Sequence, residues 1–417
     1  MFKRLTLNSL WLFLARLGSQ AGMALFTILL ARYFGTERFG EYAFIAAVMV
    51  IGNMVTTFGT DMLLIRELRQ RIKPKPWQAR SRYSCLPPQY LLLESILFQI
   101  HSPFRAQRAS WHFKSIAWRC SRFSFFTVFT TALRGKQQMG AYAILNLSLA
   151  GIQVGVGGIL ILMDGSLVTL AFLLLFAQCI AAWIAGRLCS ATIPEFRIGW
   201  GMNLQEIVGL TKSSFPVALF SIVGILYQRV AITVLPFLAG TIETGLFSTG
   251  ARVVEVAKVG HIAVFTALYP MMAENRTQKK DWVTYFKQPW WSLFALSLFA
   301  ALGLYGFADF IIRILFGTDY LRAIPVLRIL VWGLIPYSVN NFFILALLAD
   351  GQEKTITWAL AISLVTLMVS MYLAEHSARG AAWAVMASEY AQCVILTLIT
   401  LRQFGIPKVS FQKDTIG

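Results

Sequence analysis

Apolar runs about as long as a bilayer is thick recur along nearly the whole chain, separated by short polar breaks. A helix needs roughly 20 apolar residues to cross about 30 Å of hydrocarbon, and backbone groups in lipid must find their hydrogen bonds internally. The pattern predicts spanning helices near 7–33, 41–65, 140–163, 167–188, 213–238, 244–272, 290–316, 324–348, 355–374 and 378–401. Two weaker stretches, 89–100 and 116–133, fall where a third and a fourth span belong. The expected fold is therefore all-α, a polytopic membrane protein of about twelve transmembrane helices.

Composition strengthens this reading. The chain is 57% apolar and 13% charged with a mean hydropathy of +0.64, outside the soluble range. The first run is too long for a cleaved leader and contains Arg16, so it is expected to remain as a membrane anchor. Outside residues 73–124, loops on the amino-terminal side carry about eighteen Lys and Arg against about four opposite (Arg32, Arg38, Arg322, Arg379), which predicts cytoplasmic termini and an even number of spans. The expected location is a membrane that the chain crosses many times. Cys85, Cys120, Cys179, Cys189 and Cys393 show no paired spacing and the four histidines do not cluster, so no metal, disulfide framework or cofactor is expected. Phosphate-loop and triad patterns are absent too, and the protein is not expected to be an enzyme.

The chain repeats itself at a shift of 205 residues. Gly35, Thr36, Gly40 and Tyr42 align with Gly240, Thr241, Gly245 and Phe247. Each element follows the first span of its half, so the halves are expected to be parallel repeats: a six-helix lobe over 1–200 and another over 201–417, with a central cavity between them.

Residues 29–44 (LLARYFGTERFGEYAF), the pair Arg66–Glu67, residues 131–139 (TALRGKQQM) and residues 245–252 (GLFSTGAR) carry a resemblance. They resemble the Wzx-like flippases of the polysaccharide transporter family in the MOP superfamily. That resemblance implies alternating access and a substrate of undecaprenyl-pyrophosphate-linked oligosaccharide, an O-antigen (lipopolysaccharide) or exopolysaccharide repeat unit. It also implies a polysaccharide polymerase and a chain-length regulator as partners. A multidrug or cation antiporter of the same superfamily is the nearest rival, and a polytopic glycan polymerase or ligase is disfavoured by the short outer loops.

Ionisable residues inside spans are costly unless they face protein or water, so they mark the candidate site. Arg forks match phosphate oxygens, and a cationic cavity suits a lipid pyrophosphate. Arg16 and Arg229 lie well inside spans with no acidic residue within four positions. They lead the candidate substrate-binding residues, with Arg252 and Lys258 beside them. Arg252, Glu255 and Lys258 are spaced three apart, as Asp309 and Arg313 are spaced four, so local ion pairing competes with a binding role. Asp61 and Glu389 are candidates for ion coupling, and His261 is expected to be a packed residue.

One stretch breaks the pattern. Residues 73–124 contain no Gly but nine of the 37 basic residues, one of the 19 acidic ones and five of the 13 Pro. A helix over 89–100 would reach only about 18 Å. We read this stretch as out of frame between two compensating frame changes, leaving helices three and four poorly formed. Removing nine basic and one acidic residue lowers the net charge from +18 to +10. Neither value argues for nucleic acid, because cytoplasmic loop bias explains the excess.

Overall fold

The computed structural model describes residues 2–57, 126–193, 204–277 and 282–404; these are helical, with no strand among them. The helices are α1 (Phe2–Thr57), α2 (Met139–Leu162), α3 (Leu167–Thr192), α4 (Leu204–Thr277), α5 (Trp282–Gly306), α6 (Ala308–Leu315), α7 (Ile324–Leu330), α8 (Leu334–Ala349), α9 (Glu353–Leu373) and α10 (Ala378–Phe404). Residues 126–135 are helical as well. Asp61, the stretch 73–124 and the expected span at 89–100 lie outside the described residues.

At 56 and 74 residues, α1 and α4 would run about 84 Å and about 111 Å if straight, far beyond a hydrocarbon core. Each is interrupted at one glycine, Gly35 (φ 68°, ψ −178°) and Gly240 (φ 87°, ψ 176°). That backbone region is essentially restricted to glycine. The chain folds back there into two limbs lying side by side, as the 6.2 Å approach of the Phe26 and Tyr42 rings across Gly35 shows. Seven described helical segments are long and apolar enough to cross a membrane, and α5 with α6, bent by 68°, forms an eighth. The second limbs of α1 and α4 add two crossings, making ten in all, equal to the ten full-length runs in the sequence.

Side-chain size sorts the helix faces. In α3 the buried residues are Leu170, Leu174, Ala177, Ala181, Ala185 and Cys189, while Phe172, Phe176 and Trp183 point outward. Small residues let helices approach closely in lipid, and large apolar ones fill the lipid boundary. The largest buried cluster joins α1, α4 and the later helices through Phe26, Leu30, Phe39, Leu235, Leu246 and Tyr320.

The helix turns opposite the chain termini are tied together at one end, here called the distal end. Tyr33 donates to Asp164 at 2.8 Å, Tyr320 donates to the Ala31 carbonyl at 2.9 Å, and Arg32 donates to the carbonyls of Leu315 and Ile314. Glu243 accepts from Arg322 at 2.6 Å and from the Ala378 amide at 2.8 Å. The two repeat elements meet here directly. A Cβ on Gly40 would run into the Thr241 carbonyl, and one on Gly245 into the Thr36 carbonyl. The pairing is reciprocal, so the repeat is a structural one about a local two-fold axis.

The expected span over 290–316 is bent rather than straight. α5 ends at Gly306, and the chain turns into α6, where Phe307, Phe310 and Ile314 are exposed beside the exposed Asp309–Arg313 pair at 2.7 Å. These two charges sit outside the straight span because the bend carries them away from it.

Candidate functional site

The fold-back at Gly240 decides which charges meet. Arg229 lies 11 residues before it and Arg252 lies 12 after it, so both sit about 16–18 Å along their limbs from the turn. That depth is near the middle of a hydrocarbon layer about 30 Å thick. Glu255, one turn beyond Arg252, reaches both cations: Arg229 donates to Oε1 at 2.9 Å and Arg252 to Oε2 at 2.8 Å. Local pairing of Arg252 with Glu255 was legible from their spacing. The partner of Arg229 was not, because it lies 26 residues away across the hairpin.

This triad is under-satisfied. Arg229 Nε and Arg252 Nε and Nη2 are buried with no hydrogen-bond partner among the described residues. An unmet buried donor costs about 1–3 kcal/mol, and each guanidinium carries five N–H groups against a single carboxylate here. Arg252 is 13% exposed, Arg229 25% and Glu255 33%, so the carboxylate is the most accessible member of the three.

Lys258 leaves Glu255 to the arginines. Its Nζ sits 4.2 Å from the centroid of the Tyr337 ring, a cation–π contact with α8. The same ring meets His261 edge-on at 6.0 Å, and His261 Nε2 is 2.8 Å from Ser297 Oγ on α5. His261 is thus a packed, hydrogen-bonded residue, as the sequence suggested.

Glu389 is 8% exposed on α10. The Asn340 amide of α8 donates both to its carboxylate Oε2 and to its backbone carbonyl, each at 3.1 Å. Next to it, Ser388 Oγ and the Tyr227 hydroxyl of α4 lie 3.2 Å apart. A polar seam therefore runs from the Arg–Glu–Arg triad through Lys258 and Tyr337 to Asn340 and Glu389. Tyr227, Ser297, Tyr337, Asn340 and Ser388 were not singled out by sequence, since each is an ordinary polar residue until the helices assemble. Uncharged polar residues inside apolar runs were the available signal.

The structure does not gather all the candidates. Arg16 is exposed on α1, 19 residues before Gly35, or about 28 Å along the limb, and is not level with Arg229. Asp61 lies outside the described residues. No group of three or more His, Cys, Asp or Glu suited to a metal occurs among the described residues.

A bundle of apolar helices with two folded-back repeats and a charged seam at mid-depth defines a polytopic membrane protein. Residues 29–325 match the sequence model of the polysaccharide biosynthesis protein family, and the chain belongs to that family. Comparison with curated protein sequences finds no match. Among solved structures, the chain resembles an inward-facing multidrug resistance MATE family transporter of the MOP superfamily, with a TM-score of 0.74 at 13% identity over 93% of this chain and 94% of that one. It resembles the lipid II flippase MurJ in an inward closed conformation, with a TM-score of 0.73 at 14% identity over 96% and 89%. A MOP superfamily transporter from Pyrococcus furiosus gives 0.63 at 13% identity over 95% of both chains.

Proposed function

We propose that the protein flips a diphosphate-linked, lipid-borne oligosaccharide across the bacterial inner membrane, an O-antigen or exopolysaccharide repeat unit, with both termini in the cytoplasm. Two six-helix lobes, 1–200 and 201–417, alternate in exposing the site, and no covalent step occurs. The observation that carries this reading is the mid-depth triad, in which two arginines share one carboxylate and keep unmet buried donors. With Lys258 the group bears two net positive charges, matching a diphosphate and repelling a cationic drug. Membership of a polysaccharide biosynthesis family supports the sugar-bearing cargo. Glu389, buried against Asn340, is the carboxylate best placed to carry a coupling ion. Downstream, a polymerase and a chain-length regulator would take the flipped unit.

The test is complementation of a deletion strain. Arg229→Gln and Arg252→Gln, expressed at normal level, should abolish surface polysaccharide and leave lipid-linked units facing the cytoplasm. Full export by both variants would overturn the reading, and single units stranded outside would point instead to a polymerase.

A further inference from the structure

The Arg229–Glu255–Arg252 arrangement does more than neutralise charge. Glu255 uses one oxygen per arginine, at 2.9 and 2.8 Å, and it is the most exposed member of the three. Three guanidinium nitrogens remain buried and unpartnered among the described residues, two of them on Arg252. A pure structural clamp would be expected to use those donors, because Arg and carboxylate pair best through two parallel bonds. Here a single carboxylate is divided between two forks and completes neither. A diphosphate offers more acceptor oxygens than a carboxylate and can meet both forks at once. Lys258, one turn further along the same limb, stands ready to take the carboxylate when it leaves.

We propose that Glu255 is a resident counter-ion that the diphosphate head group must displace, and that it thereby sets the selectivity of the site for diphosphate over monophosphate. This rests on the head-group role given above to Arg229 and Arg252. A monophosphate outnumbers the carboxylate in oxygens but holds them on a single phosphorus, so it recovers less on replacing both Arg–Glu bonds than two linked phosphoryl groups do. A diphosphate replaces both bonds and adds partners for the unmet donors. Removing the carboxylate should therefore help the weaker ligand more than the stronger one.

Calorimetric titration of the purified full-length protein with inorganic pyrophosphate and inorganic phosphate tests this. Wild type should bind pyrophosphate more tightly than phosphate. Glu255→Gln should tighten phosphate binding about tenfold or more and pyrophosphate binding less, so that the preference narrows. Glu255→Ala, carried in parallel and checked for monodisperse elution, supplies a second variant should Gln disturb folding. If either folded variant binds both anions no more tightly than wild type, while Arg229→Gln abolishes pyrophosphate binding, the counter-ion role falls and the head-group site stands. If wild type binds neither anion, or binds them unchanged after Arg229→Gln and Arg252→Gln, both ideas fall together.

Discussion

At the scale of single residues, the seam separates groups that bind from groups that only pack, and Asn340 and Glu389 show how to tell them apart. Asn340 spends its amide on the Glu389 side chain and backbone, so its loss strands a buried acceptor pair. Asn340→Ala should destabilise the folded protein by about 1–3 kcal/mol, seen as a lower melting temperature in detergent. Glu389→Gln keeps the shape and an acceptor for Asn340, so it should melt close to wild type yet transport without response to an imposed ion gradient. If Glu389→Gln melts much earlier and the remaining folded fraction stays gradient-responsive, Glu389 is a structural link and nothing more. The triad illustrates what sequence shows at this scale. Arg252 and Glu255 are visible neighbours on one helix face, whereas Arg229 finds Glu255 only because Gly240 brings the limbs together.

At the scale of elements, the repeated glycines have two different duties. Gly35 and Gly240 adopt a backbone other residues avoid, and Gly40 and Gly245 let two hairpins touch backbone to backbone. Both duties follow from one short repeat, which is why it was legible as a shift of 205 without knowledge of the fold. The reciprocal contact closes the distal end together with the Arg32 and Tyr320 bonds. Gly40→Leu or Gly245→Leu cannot be seated there and should hold the hairpins apart. A penalty of only about 1.4 kcal/mol shifts a two-state balance tenfold, so closure should be lost in most molecules. In a Thr241→Cys background, labelling by a membrane-impermeant maleimide should rise and transport should fall. Unchanged labelling and transport would mean the contact is not a gate. The break after α5 was not legible, because the apolar residues flanking Gly306, Asp309 and Arg313 read on as one span and only packing reveals the 68° turn.

At the scale of the whole molecule, the path of the chain makes a demand on the stretch between Thr57 and Phe126. The second limb of α1 starts at the distal end beside Thr241 and runs away from it toward Thr57. Helix α2 ends at the distal end, where Asp164 meets Tyr33, so its start at Met139 lies at the opposite end. Residues 126–135 lead into that start through a short turn and pack Phe126, Val128 and Leu133 against Leu145, Ala181 and Ala185. They therefore descend from the distal side, in the direction the sequence pattern expects of a fourth span over 116–133. As written, the expected third span covers 89–100, only about 18 Å of helix where about 30 Å is needed. Read as sequence, Arg119 and Arg122 fall inside the expected fourth span, and Arg105, Arg108 and Lys114 in the expected outer loop, where positive charge is disfavoured. The flanking helices keep the residue choices of good spans, so the mismatch is confined to this stretch. Sequencing the gene across the codons for Gln70 to Lys136 and translating every frame should therefore reveal two apolar runs of roughly 20 residues each, with ordinary glycine content, in a frame other than the one written. A protein made with that frame restored should export more surface polysaccharide in a deletion strain than the present sequence does. If only the present frame reads through, and the present sequence restores export fully, the out-of-frame reading falls and the count of twelve helices falls with it.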